Sequence, residues 1–280
     1  MKLKYNNLKE TLDRFYLDYP FQERLRHDPI EFPKRYKSRQ DMEASGFISC
    51  SFAYGRVELF KPVVEKLLSL MDENPHAFLS DFNAMKEKRR FEGIKYRFNS
   101  NEDVLGLFHI LSSILKKNGS LEAAFKSFYR AGDINTGGML SGMMEYIRSI
   151  DTSAVYGSDI HPPGLLQFFP SPESGGACKR ANLFLRWMAR DRDIDFGLWK
   201  WIPKNKLIIP LDTHIMRVSR CLGFTGRKAA DWKAAVEITE ALKELDPEDP
   251  LKYDFALCHH GIAGICRPDK KGCKDCPFSY

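Results

Sequence analysis

Apolar residues recur along this chain at three- and four-residue steps, the spacing that puts them on one face of a helix. Leu8, Leu12, Phe15, Tyr16 and Tyr19 mark the first such face. Asp28-Pro29 and Phe32-Pro33 interrupt the pattern. Residues 43–54 then read as a buried helix closed by Gly55, and residues 57–71 as another, with Phe60, Val63, Val64, Leu67, Leu68 and Met71 inward. Val104, Leu105, Phe108, Leu111, Ile114 and Leu115 mark a further helix, stopped at Asn118-Gly119. Ser120 is placed to cap a helix over 121–129, and a loop over 132–138 leads to a helix over 139–150.

Residues 151–176 break the periodicity. They are rich in Pro and Ser, with Gly157, Gly164, Gly175 and Gly176, and read either as a linker or as a functional loop. Helical spacing returns over 181–189, 213–222 and 232–242, and from Tyr253 into a Cys-rich tail. Leu207-Ile208-Ile209 is too short to establish a strand, so the pattern predicts a mainly α protein. The expected division is 1–150, a helical lobe, and 151–280, a second lobe carrying the hairpin-like segment and the tail.

A chain of 280 residues, 43% hydrophobic and 29% charged, can bury one large core or two modest lobes. No apolar run is long enough to cross a bilayer, and Met1-Lys2-Leu3-Lys4-Tyr5-Asn6-Asn7 lacks a signal-peptide core. A cytoplasmic protein with no membrane partner is expected. Seven Cys, an odd number, fit a reducing compartment better than a disulfide framework. The net charge of +6 is unevenly spread: residues 175–235 hold 13 Lys plus Arg against 5 Asp, and the remainder is slightly acidic. Such a surplus suits either a phosphate-binding face or a solvated helical surface.

Ile209-Pro210-Leu211-Asp212-Thr213-His214-Ile215-Met216-Arg217-Val218 is the most informative segment. Pro210 disfavours helix before it, and Asp212 is placed as an N-cap. Asp212 is thus either a cap alone or a cap with a chemical task. Lys179 opens a helix behind Gly175-Gly176, where helix dipole and partial burial favour a neutral amine. It reads as a nucleophile or as a phosphate contact. The glycine pair is a plain turn, or a place where backbone amides converge on an anion. The tail, Cys258-x7-Cys266-x6-Cys273-x2-Cys276, suggests a metal site, and Cys178 and Cys221 read as core thiols.

The segment Pro210-Leu211-Asp212-Thr213-His214-Ile215, with Arg217-Val218 soon after, resembles the catalytic segment of endonuclease III-type DNA glycosylases of the helix-hairpin-helix (HhH-GPD) superfamily. The whole chain looks like a member of an uncharacterised bacterial family related to them. The resemblance implies a two-lobed helical fold with the active site in the cleft between the lobes. It also implies base excision by a monomer from double-stranded DNA carrying a damaged base, with an oxidised purine as the suggested lesion. Asp212 takes the role of the catalytic carboxylate and Lys179 that of the Schiff-base lysine of a bifunctional glycosylase/AP lyase. Gly175, Gly176, Arg180 and Arg217 would hold DNA phosphates, and Phe52, Tyr54 and Arg56 would line the base pocket.

The hairpin departs from the superfamily's form. Ala177 stands for its second glycine, and Ser171-Pro172-Glu173-Ser174 replaces the usual Leu-Pro-Gly approach. Cys266, Cys273 and Cys276 resemble the first three ligands of a [4Fe-4S] cluster, with the fourth position of that pattern beyond Tyr280. Cys258, or His259 or His260, is left to complete the set, with zinc as the alternative metal and an empty remnant as a third reading. Two other functions stay open: a non-catalytic nucleic-acid-binding protein of the same fold, and an iron–sulfur redox or sensor protein.

Overall fold

A computed structural model describes residues 2–264 and 276–278, with side chains from Asn7 onward. It is 61% helical, and among the described residues there is no strand. Only isolated antiparallel bridges form, Tyr96 with Asn99 and Gly176 with Asp231. The helices of seven or more residues are α1 (Lys2–Leu17), α2 (Arg39–Ser51), α3 (Val57–Ser69), α4 (Pro75–Asp81), α5 (Asn101–Asn118), α6 (Leu121–Ser127), α7 (Gly137–Arg148), α8 (Lys179–Ala189), α9 (Thr213–Leu222), α10 (Trp232–Lys243) and α11 (Asp254–Ile262).

Local chemistry sets the ends of these helices. Ser100 and Asp103 form a reciprocal capping box at the start of α5, and Gly119 ends it at φ 80°, a left-handed geometry that a Cβ disfavours. Ser120 then accepts from the Ala123 amide at 3.0 Å and restarts the chain as α6. Asp231 caps α10 through the Ala234 amide at 2.7 Å. Tyr19, expected on the first helix, lies beyond its end and packs instead against Phe15 and Phe21.

Two compact units form, one of residues 25–171 and one of residues 1–24 with 172–280. This moves the expected boundary at 150/151 and reassigns α1. Residues 151–171 pack into the first unit through a few buried side chains and do not form a linker. Leu165, Phe168 and Phe169 are buried there, Phe168 against Phe52 and Phe169 near Phe47, and the Asn99 side chain donates to the Gly164 carbonyl at 2.7 Å. Elsewhere in this unit Phe91 packs on Phe108 and Phe82, with ring centroids 4.8 and 5.7 Å apart.

The second unit draws its core from distant stretches of chain. Leu8 and Leu12 of α1 pack with Ile208, Ile209, Leu211, Ile215, Ile238, Leu242, Tyr253 and Leu257. Leu207, Ile208 and Ile209 are therefore buried without forming a strand. Asp13 fastens α1 further, accepting from Lys252 Nζ and the Tyr253 hydroxyl at 2.6 Å each.

Leu12 is fully buried and Leu17 is 78% exposed. Urea unfolding of Leu12→Ala should show a loss of about 2–5 kcal/mol. Leu17→Ala should stay within about 0.5 kcal/mol of the parent. Equal effects would remove α1 from the core.

Candidate active site

Asp212 and Lys179 meet within the unit formed by residues 1–24 and 172–280. Asp212 is the N-cap of α9, and its Oδ1 accepts from the amides of His214 and Ile215, each at 2.9 Å. That fixes the carboxylate and turns Oδ2 outward. Lys179, the first residue of α8, places Nζ 3.1 Å from that Oδ2. The ammonium side chain is 32% exposed and the carboxylate 14%, so the pair is partly shielded from water. The third neighbour is Cys258 on α11, whose Sγ lies 3.7 Å from the same Oδ2.

The loop before α8 aims Lys179. Gly175 has φ 80°, and its carbonyl accepts from the Trp232 amide at 3.0 Å, while Gly176 bridges Asp231. A Cβ at either glycine would meet nothing within 4 Å, so backbone conformation, and not crowding, calls for glycine at 175. Cys178 is also left-handed (φ 50°) and buried, and burial pushes its thiol up to about 12. The expectation of a core thiol holds there, whereas Cys221 is exposed and corrects the same expectation, because it sits on the solvent side of α9. A single 3-10 turn, Pro172–Ser174, precedes the two glycines.

Burial alone would raise the Asp212 carboxyl. The Lys179 charge, the Ile215 amide and the hydrogen bond from Lys179 outweigh it and hold the group below the ordinary carboxylate range. Asp254, one turn before Cys258 on α11, behaves oppositely. Burial lifts it to about 6 against the pull of Arg186, and the negative charges of Asp212 and Asp195 add to the rise. Arg186 pairs with Asp254 and, at 3.2 Å, with Asp195; Arg190 pairs with Asp195, Asp249 and Asp193 at 2.8–3.1 Å.

These contacts correct several sequence expectations. Arg186 and Arg190 are 3% exposed, so two cations of the basic stretch neutralise internal aspartates and leave the surface. Arg217 Nη2 contacts His214 Nδ1 at 3.0 Å and donates to the Gly261 carbonyl at 3.1 Å, tying α9 to α11. Gly261 is needed for this close approach, since a Cβ there would lie 2.9 Å from His214 Cβ. Arg180 is half-buried beside Lys179. Phe52 is fully buried against Phe168 and Tyr96, which withdraws it from a pocket-lining role; Tyr54 is half-buried and Arg56 exposed.

Of the four cysteines read as metal ligands, Cys266 and Cys273 lie outside the described residues. Cys258 faces Asp212, and Cys276 Sγ lies 3.6 Å from His260 Nε2, so the two described thiols have different partners. Among the described residues no group of three or more His, Cys, Asp or Glu converges on one point. Sequence reading missed Asp254 and Arg186. The available signal was spacing: Asp254 and Cys258 are one helical turn apart, and Arg186 lies two turns from Lys179.

Residues 28–263 match the family described as "Protein of unknown function (DUF2400)". No curated protein and no solved structure matches the chain.

The opposed shifts of the two aspartates are measurable by carbon-detected NMR titration. Asp254 should titrate near 6 and Asp212 below the usual aspartate value of about 3.9. Because the folded value of Asp254 is raised, its contribution to stability is full below about pH 3.9 and lost as pH rises through 6. Wild type should therefore lose stability relative to Asp254→Asn over that window. A pH-independent difference would contradict the assignment.

Proposed function

The chain belongs to this family of unknown function, and for this member we propose a DNA glycosylase of HhH-GPD type that excises a damaged base from duplex DNA and cleaves the resulting site. The observation that carries the reading is the 3.1 Å approach of Lys179 Nζ to Asp212 Oδ2. An amine and an ionised carboxylate, each at a helix N-terminus, stand where one sugar can meet both.

Breaking an N-glycosidic bond builds positive charge at C1′, and a carboxylate already ionised stabilises it without first losing a proton. Asp212 Oδ2 is also placed to take a proton from Lys179 Nζ. The freed amine attacks C1′ as the C1′–N bond breaks, and the base leaves with the bonding pair and gains a proton. Opening of C1′–O4′ then yields a protonated Schiff base on Lys179 and a hydroxyl at C4′. Loss of a C2′ proton expels the 3′ phosphate by β-elimination and cuts the strand. Gly175, Gly176 and Arg180, adjoining Lys179, are the proposed phosphate contacts, and the protein acts as a monomer. For the Cys-rich tail we propose a metal, [4Fe-4S] or zinc, with Cys276 and His260 as the described donors and no chemical step passing through it.

A second reading, a nucleic-acid-binding protein of the same fold without base release, draws support from the hairpin. One 3-10 turn stands where a helix-hairpin-helix would have its first helix.

Borohydride reduction in the presence of abasic-site duplex should trap a covalent complex with wild type and none with Lys179→Ala. Asp212→Asn should slow base release from a panel of damaged duplexes by at least about 100-fold. Trapping that survives Lys179→Ala, or full base release by Asp212→Asn, would overturn the assignment. Base release without trapping would favour a monofunctional enzyme, and neither activity the binding protein.

A further inference from the structure

In the unit of residues 25–171 a two-residue turn stands out for what it leaves uncovered. Tyr96 and Asn99 exchange backbone hydrogen bonds at 2.9 and 3.1 Å, so Arg97 and Phe98 form the tip. The base of the turn is fixed. Asn99 and Tyr96 are buried, and Tyr54 donates to Asn99 Oδ1 at 2.5 Å while the Tyr96 hydroxyl reaches the Tyr54 carbonyl.

The tip is the reverse. Phe98 is 69% exposed, and Arg97 holds φ 50°, a left-handed conformation unfavourable for a side chain of that kind. The Arg97 guanidinium lies 5.4 Å from the Phe98 ring and 5.6 Å from the Tyr54 ring. Gly55 makes room for it, since a Cβ at that position would lie 2.5 Å from Arg97 Nη1. An exposed aromatic and a strained arginine in adjacent positions, on a rigid base, mark a surface shaped for a ligand.

Charge identifies the ligand. Residues 84–97, leading into the tip in sequence, carry Lys86, Lys88, Arg89, Arg90, Lys95 and Arg97 against Glu87 and Glu92; all six are exposed, though Arg90 is engaged by Glu87 and the Leu70 carbonyl. Protein interfaces are depleted of lysine at their centres, which disfavours a protein partner. Phosphates ask for these cations, and a base ring asks for Phe98. Bases within a duplex already stack on their neighbours, whereas an unpaired base has a free face.

We propose that the Arg97–Phe98 tip and the basic run before it bind single-stranded nucleic acid, with an unpaired base stacked on Phe98 and its flanking phosphates on the lysines. This surface goes beyond the chemistry proposed for Lys179 and Asp212 and stands without it.

The test is fluorescence anisotropy of the full chain with a labelled oligothymidylate of about 20 nucleotides, beside a duplex of equal length. The single strand should bind through Phe98, whereas any duplex binding through the Lys179–Asp212 site should not depend on that ring. Phe98→Ala should weaken single-strand binding roughly tenfold, and Phe98→Trp, which keeps a stacking ring, should restore it. Replacing Lys86, Lys88 and Lys95 together by Ala should reduce the slope of log affinity against log salt by about 2, and Phe98→Ala should leave the slope unchanged. Phe98 is exposed, and matching circular dichroism confirms that its variants fold. Wild-type single-strand affinity in Phe98→Ala or Phe98→Leu, or an equal loss of duplex binding in Phe98→Ala, would overturn the proposal.

Discussion

Arg186, in the last turn of α8, and Arg190, the residue that caps its end, are buried among Asp193, Asp195, Asp249 and Asp254. These pairs join several parts of the unit built from residues 1–24 and 172–280. The two guanidiniums tie α8 to the loop that follows it, to the approach to α11 and to α11 itself. Asp193 extends the network to α1 through the Tyr16 hydroxyl at 2.6 Å. Charges so far from water are costly unless paired, so removing one partner leaves a penalty of about 3–5 kcal/mol. The network therefore allows one register of α8 against α11. Lys179 at the head of α8 and Cys258 on α11 reach Asp212 in that register.

The electrostatics of the site follow from the same arrangement. Arg186 faces Asp254 from below, while Lys179 faces Asp212 at the rim. Asp212 also has two amides of its own helix and partial contact with water, and stays ionised. Asp254 has no such amides among its hydrogen bonds and complete burial, and holds its proton to higher pH. Two carboxyls of one unit are thereby given different protonation states at mildly acidic pH, by environment alone.

Much of this was legible in the chain because it is local. The cap at Asp212 and the helix of residues 213–222 follow from neighbouring residues, as do the stop at Gly119 and the restart at Ser120. Lys179 at a helix start was equally local. What escaped depends on partners distant in sequence. Pro and Ser between 151 and 171 look like solvent-facing linker until Phe168 and Phe169 find Phe52 and Phe47. Arg186 and Arg217 look like surface cations until the aspartates and the Gly261 carbonyl reach them. Phe52 looked available because its neighbours Tyr54 and Arg56 are, yet one residue's rotation on the chain separates core from surface.

The pairing of α1 with the later part of the chain also has a consequence for biosynthesis. Residues 25–171 form a contiguous unit, complete as soon as the ribosome has released them. Leu8 and Leu12, made before that unit, lack their core partners until Ile208 through Leu257 emerge. A helix translated ahead of residues 25–171 is thus packed after them, and its amphipathic stripe must be shielded in the meantime by a chaperone or by transient contacts.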